Sequence, residues 1–129
     1  MYQPPGFGTV FPYFFVNNAE AFSSFLIKAF NAVELNRTLR PDGKIANLSM
    51  KIGDTNFMAS EASDDFPATS AAYYLYVRNA DVSMQQACEH GAEKIMSVAD
   101  MAYGDRQGGV RDPFGNIWWI SQRMVEAPY

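Results

Sequence analysis

Residues 12–20, PYFFVNNAE, return at residues 73–81 as YYLYVRNAD, 61 positions later. Tyr13 matches Tyr74, Val16 matches Val77, Asn18 matches Asn79 and Ala19 matches Ala80, while Phe15/Tyr76 and Glu20/Asp81 are conservative pairs. At the same offset Ser60 in FMAS meets Ser121 in WWIS. The chain is therefore two similar halves, each folding into the same motif, and function is expected where the halves face each other.

The first half spans about residues 9–60. TVFPYFFV (9–16) is short, aromatic and β-branched, which predicts a strand. Pro12 lacks an N–H for a ladder and places this strand at an edge. In residues 18–31, Phe22, Phe25, Leu26, Ala29 and Phe30 recur at helical spacing, with Asn18 as N-cap and Glu20 in the first turn. VELNRTLR (33–40) reads as a strand and Pro41-Asp42-Gly43 as a turn. KIANLSMKI (44–52) alternates: Ile45, Asn47, Ser49 and Lys51 on one face, Ala46, Leu48, Met50 and Ile52 on the other. TNFMAS (55–60) completes a β-α-β-β-β half.

EASDDFPATSA (61–71) is polar and aperiodic and reads as a linker. The second half, about residues 72–122, repeats the order. AYYLYV (72–77) is a strand, 80–90 a helix ending at Gly91, 94–98 a strand, 98–104 a loop and the glycine-rich RQGGVRD (106–112) a strand. Asp112-Pro113-Phe114-Gly115 turns the chain into the last strand, NIWWIS (116–121). The expected fold class is α+β: two βαβββ modules forming a cupped mixed sheet, with helices on the outer faces. The chain, 129 residues long, suits a single domain 1–129.

A net charge of −4 argues against nucleic acid or an anionic membrane as partner, since both reward clustered Lys and Arg. No apolar run reaches a membrane span, no signal peptide is evident, and a single cysteine, Cys88, excludes an intrachain disulfide. A cytoplasmic location is the default expectation.

Paired βαβββ units resemble the vicinal oxygen chelate superfamily, which contains glyoxalase I, extradiol dioxygenases and the fosfomycin- and bleomycin-resistance proteins. FPYFFV, the PDG-KIAN-LSMKIGD stretch and YGDRQGGVRDPFGN followed by WW are similar to its PhnB-like branch. The resemblance covers about residues 9–123. It marks the family better than the reaction, because one fold hosts many chemistries. That branch is often labelled as related to a demethylubiquinone methyltransferase. No glycine-rich strand–turn–helix is present to support the label, since RQGG leads into a strand.

The resemblance implies one divalent metal in the concavity, held by His, Gln or Glu from the first and last strands of each half. Carried over, those positions are Phe11, Met58, Ala72 and Trp119, none a useful ligand for a hard or borderline cation. Relatives with a third-strand His carry it where this chain has Asn47. No metal and no cofactor are therefore expected. The only histidine, His90, reads as a helix-end capping residue, and Cys88 as a small core residue on an apolar helical stripe. Asp64-Asp65 reads as a solvated loop, and Asp105 and Asp112 as turn or hydrogen-bonding residues.

If Phe11, Ala72, Met58 and Trp119 point inward, as the resemblance implies, strand parity also turns Tyr13, Phe15, Tyr74, Tyr76, Asn56, Ser60, Ile117 and Ser121 inward and puts Trp118 and Ile120 beneath a helix. An aromatic cup with a few amides and hydroxyls suits an apolar or planar ligand; it could equally be filled by its own side chains. Asn47, Met58 and Trp119 are expected to border one cavity with Tyr74, and Tyr103 and Arg106 to lie near its mouth. Arg106 could clamp an anionic group of a ligand or pair with Asp105 or Asp112. The expected function is metal-free binding of a small apolar or aromatic molecule, for sequestration or sensing. The alternatives are a lyase, isomerase or dioxygenase with atypical or no metal, and an interaction module with a filled cup. A homodimer is expected, joined through the first strands.

Overall fold

The computed structural model describes residues 1–129. The chain divides into two compact units, Met1–Thr69 and Ser70–Tyr129. The first unit runs β1 (Tyr13–Val16), α1 (Ala19–Phe30), β2 (Val33–Leu39), β3 (Ile45–Ile52), β4 (Thr55–Glu61). The second runs β5 (Ala72–Tyr76), α2 (Ala80–Glu89), β6 (Glu93–Asp100), β7 (Asp105–Arg111), β8 (Ile117–Arg123). Each is a βαβββ module with a four-stranded mixed sheet, ordered β1-β4-β3-β2 in the first and β5-β8-β7-β6 in the second. The fold class is as the repeat predicts.

Each helix crosses from an edge strand to the opposite edge and buries its apolar stripe on one face of its sheet. In the first unit Phe22, Leu26 and Ala29 of α1 meet Phe14, Val16, Leu48, Met50 and Ala59, all between 0 and 3% exposed. Phe14 anchors this layer, its ring 4.9 Å from Phe22 and 5.5 Å from Phe57. In the second unit the layer is thinner. Helix α2 buries only Ala80, Met84 and Ala87, against Val110, Trp118 and Ile120.

The helix starts repeat as closely as the strands. The side chain of Asn18 accepts from Ala21 N–H and that of Asn79 from Val82 N–H, both 3.1 Å. Further N–H groups at each helix start are met by the strand that parallels β1 or β5. Glu61 accepts from Asn18 and Ala19 N–H at 2.8 and 2.9 Å, and Gln122 accepts from Ala80 N–H at 3.0 Å. Four N–H groups per helix start need such partners, and an acceptor from the sheet ties helix to strand in both units.

Several local expectations are corrected. Strand β1 begins at Tyr13 rather than residue 9, although Pro12 O already accepts from Met58 N–H at 3.1 Å. Strand β6 continues to Asp100, leaving only a four-residue turn closed by Gly104 N–H to Met101 O at 3.0 Å. The stretch read as a linker is partly tethered to the first unit, with Phe66 stacked on Phe15 at 5.5 Å and Thr69 N–H bonded to Phe15 O. Cys88 is exposed rather than core. It lies on the shoulder of a stripe formed by residues 80, 84 and 87, its sulfur 3.8 Å from Met84 Sδ. His90 is the C-cap residue, and Gly91 follows with φ 109°.

Candidate functional site

The glycine pair in RQGG sets the shape of the second unit's sheet. Successive residues of β7 point to opposite faces. Gly108 faces α2, where a Cβ would stand 2.4 Å from Met84 Cε. Gly109 faces away from the helix, where a Cβ would stand 2.5 Å from Cζ3 and 2.8 Å from Cε3 of Trp119. The two are register partners, as are Trp119 and Tyr74. The missing side chain at residue 109 therefore lets the indole settle against the backbone, half-buried, beside the Tyr74 ring.

A polar row runs from the indole along the same face. Gln107 is the register partner of Ser121 and donates to its hydroxyl at 2.6 Å; Ser121 in turn donates to Trp119 O at 3.1 Å. The Tyr103 hydroxyl donates to the Gln107 carbonyl oxygen. One step further along β7 lies Asp105, 1% exposed. Its carboxylate accepts from the Tyr74 hydroxyl, from the Tyr129 hydroxyl at 2.6 Å and from Arg123 Nη1 at 3.0 Å. Burial by itself would raise the Asp105 carboxyl, but hydrogen bonds from Tyr129, Tyr74 and Arg123 outweigh it and hold the group below its ordinary range. Burial, and then the hydrogen bond to Asp105, raise Tyr74 and Tyr129, so the phenols stay protonated donors.

The expected site residues divide by unit and by face. Asn47 and Met58 meet in the first unit, Asn47 Nδ2 lying 3.6 Å from Met58 Sδ and 3.4 Å from the Tyr13 hydroxyl. Tyr74, Tyr103 and Trp119 share the face of the second unit that points away from α2. Arg106 does not join them. Adjacent to Asp105 in sequence, it projects to the opposite face, where it pairs with Asp81 of α2 at 2.8 Å and Asp100 of β6 at 3.1 Å. Its partners are thus neither Asp105 nor Asp112. Asp112 instead orders the β7–β8 turn, accepting from Phe114 N–H, Asn116 N–H, Asn116 Nδ2 and Trp118 Nε1 at 2.8–3.1 Å.

Asp105, Arg123 and Tyr129 were not singled out as site residues from the sequence. The available signal was parity: residues 105, 107 and 109 share a face, so Asp105 had to point where Trp119 points. In the first unit a hollow of about 390 Å³ is bordered by Asn17, Ser63, Asp64 and Pro67. It lacks an aromatic wall.

The donor set does not fit the divalent ion of the fold family. Met58 offers a thioether and Trp119 a carbon ring edge, and no group of three or more His, Cys, Asp or Glu side chains is placed to hold a metal. Asp105, the carboxylate on this face, is already met by three donors, and the neighbouring Arg123 cation opposes a second positive charge there.

No protein-family profile matches the chain. Uncharacterized protein Mb0911c of Mycobacterium bovis is 33% identical over 130 residues, covering 90% of this chain and 84% of that protein. Its Mycobacterium tuberculosis counterpart Rv0887c has the same identity, with 75% of its length covered. Among solved structures, TioX from Micromonospora sp. ML1 superposes with a TM-score of 0.74 at 19% identity, over 87% of this chain and 95% of that one. A glyoxalase/bleomycin resistance protein/dioxygenase superfamily member from Sphaerobacter thermophilus reaches 0.71 at 16% identity, over 86% and 93%. TnmS3 from Streptomyces sp. CB03234, described as an antibiotic binding protein, reaches 0.70 at 16% identity, over 90% and 98%. No helix is long and apolar enough to cross a membrane. The chain belongs to one family with the mycobacterial proteins, and it shares its paired βαβββ fold with solved structures described as members of the glyoxalase/bleomycin resistance/dioxygenase superfamily.

Proposed function

We propose that this protein binds a small, partly aromatic molecule without a metal, as a sequestering or sensing protein. The observation that carries the reading is Trp119. Where the fold family's resemblance puts a metal-binding carboxylate, this chain presents an indole laid on Gly109, flanked by Tyr74 and the Gln107–Ser121 amide–hydroxyl pair. A carboxylate there would serve a cation; an indole offers a flat apolar surface for stacking, worth about 0.5–1.5 kcal/mol per aromatic pair beyond area burial. The antibiotic-binding description of TnmS3, a structure of the same fold, supports binding over catalysis. In the first unit, Asn47, beside Met58 and the Tyr13 hydroxyl, offers a separate amide for a polar contact.

Each sheet has two edge strands, β1 and β2 in the first and β5 and β6 in the second, which supports a homodimer that covers some of them. Sedimentation showing only monomer at micromolar concentration removes that part of the reading.

The test is native mass spectrometry on protein purified without chelators, followed by a melting-shift screen of aromatic ligands against wild type and Trp119→Ala. The expected result is no stoichiometric metal, at least one stabilising aromatic ligand, and roughly 1–3 kcal/mol weaker binding in the variant. A stoichiometric metal that survives dialysis overturns the metal-free reading. A loss of about 3–5 kcal/mol of stability in Trp119→Ala with no ligand found assigns the indole to packing alone.

A further inference from the structure

The segment after β8 turns back over the face just described. Met124 N–H bonds to Gly104 O at 2.9 Å, and Arg123 Nη2 donates to Ala127 O. Gly104, at φ 97°, leaves room for this crossing: a Cβ there would stand 2.7 Å from Val125 Cγ2 and 3.0 Å from Arg123 Nη1. The strap delivers one side chain, Tyr129. Its hydroxyl donates to Asp105 Oδ2 at 2.6 Å, and because that proton is committed, the Tyr76 hydroxyl, 2.6 Å away, donates to the Tyr129 oxygen. The Arg123 guanidinium lies 4.2 Å from the centre of the Tyr129 ring. The phenol thus has an acceptor for its proton, a donor for its oxygen and a cation on its face.

Host and occupant are held very differently. Asp105 is 1% exposed and bonded to Tyr74 of β5 and Arg123 of β8, whereas Tyr129 is 70% exposed. The hydroxyl is therefore gripped while most of the ring stands in water, so little apolar burial opposes its departure. A buried carboxylate would not tolerate losing a donor without a replacement. A molecule that displaces Tyr129 must supply a hydrogen-bond donor to Asp105; a phenolic hydroxyl reproduces the bond that Tyr129 makes, and the cation and tyrosine rings favour an aromatic carrier.

We propose that Asp105, Tyr76 and Arg123 form a recognition site for a hydroxylated aromatic ring, and that Tyr129 is its built-in occupant, displaced when a phenolic ligand binds. The inference rests on the reading of this face as a binding surface and names the ligand's chemical class. The strap competes from within the chain, so removing the phenol raises the affinity for a free one.

The test uses 4-methylphenol, the tyrosine side chain as a free molecule, against toluene, the same ring bearing a methyl group but no hydroxyl. Binding is followed by protein NMR in wild type, Tyr129→Ala and Tyr129→Phe. The expected result is at least tenfold tighter binding of 4-methylphenol by both variants than by wild type, no such gain for toluene, and loss of the phenol preference when Asp105→Asn is added. Tyr129→Phe keeps the strap and ring and so guards against a merely unfolded strap. Equal 4-methylphenol affinity in wild type and both variants, or an equal gain for toluene, overturns the proposal. If that occurs while the melting-shift screen still finds an aromatic ligand for wild type, this site assignment fails and the binding reading stands. If the variants take 4-methylphenol but no screened ligand binds wild type, the phenol site stands and the broader reading fails.

Discussion

Gly109 and Trp119 stand opposite each other across β7 and β8, so close that a Cβ on the glycine would lie 2.5 Å from the indole. The contact is with a rigid ring, so it cannot be relieved by a flexible side-chain end. Gly109→Ala should lift the indole off the strand and cost roughly 1–3 kcal/mol, the range for overpacking. Thermal unfolding gives the magnitude and tryptophan emission the displacement. An unchanged melting temperature and spectrum would show that the indole does not rest there.

Arg106 bonds to Asp81 and Asp100 on the α2 side of the sheet. These are surface pairs, with side chains 30% exposed for Arg106 and 56% and 77% for its partners. Arg106→Gln should leave binding of any aromatic ligand within twofold of wild type. A tenfold loss measured by calorimetry would return Arg106 to the binding face.

Asp112, 3% exposed, is the common acceptor for four donors of the β7–β8 turn and Trp118. Asp112→Ala strands those donors, at about 1–3 kcal/mol for each one left buried, so a total loss on the order of 3–5 kcal/mol is expected. Urea unfolding at neutral pH measures it. A loss below about 1 kcal/mol would mean that water replaces the carboxylate freely.

The pH dependence of Asp105 has a definite sign. Burial opposes its charge, but the bonds from Tyr129, Tyr74 and Arg123 hold its folded pKa below the unfolded value of about 3.9. Its contribution is present above about pH 4 and is lost as pH falls through the folded pKa. The stability gap between wild type and Asp105→Asn should therefore be widest near pH 6 and shrink on acidification to pH 2–3. At the alkaline end, Tyr129 is raised by burial and by its bond to Asp105. Stability from that phenol is present below about pH 10 and lost above, as its proton leaves. A gap that does not narrow in acid would contradict the assignment of Asp105 as a charged acceptor.

The sequence by itself determined the modular architecture. The repeat at an offset of 61, with Asn18/Asn79 as paired N-caps and Ser60/Ser121 on paired strands, dictates two equivalent βαβββ units, because period and capping are local properties. Strand parity also put Leu48 and Met50 under a helix and Tyr74 and Trp119 together on the other face, since side chains alternate at every residue. The tertiary structure decided which polar groups meet. Arg106 and Asp105 are neighbours in sequence, yet one serves the helix side of the sheet and the other the opposite face. That outcome depends on which carboxylates α2 and β6 bring near, a separation of 25 residues for Asp81. The Tyr129–Asp105 bond lies beyond any local signal because it spans 24 residues and depends on the strap's path over Gly104. Local periodicity fixes elements and faces; long-range hydrogen bonding, written in no single segment, selects the groups that make a site.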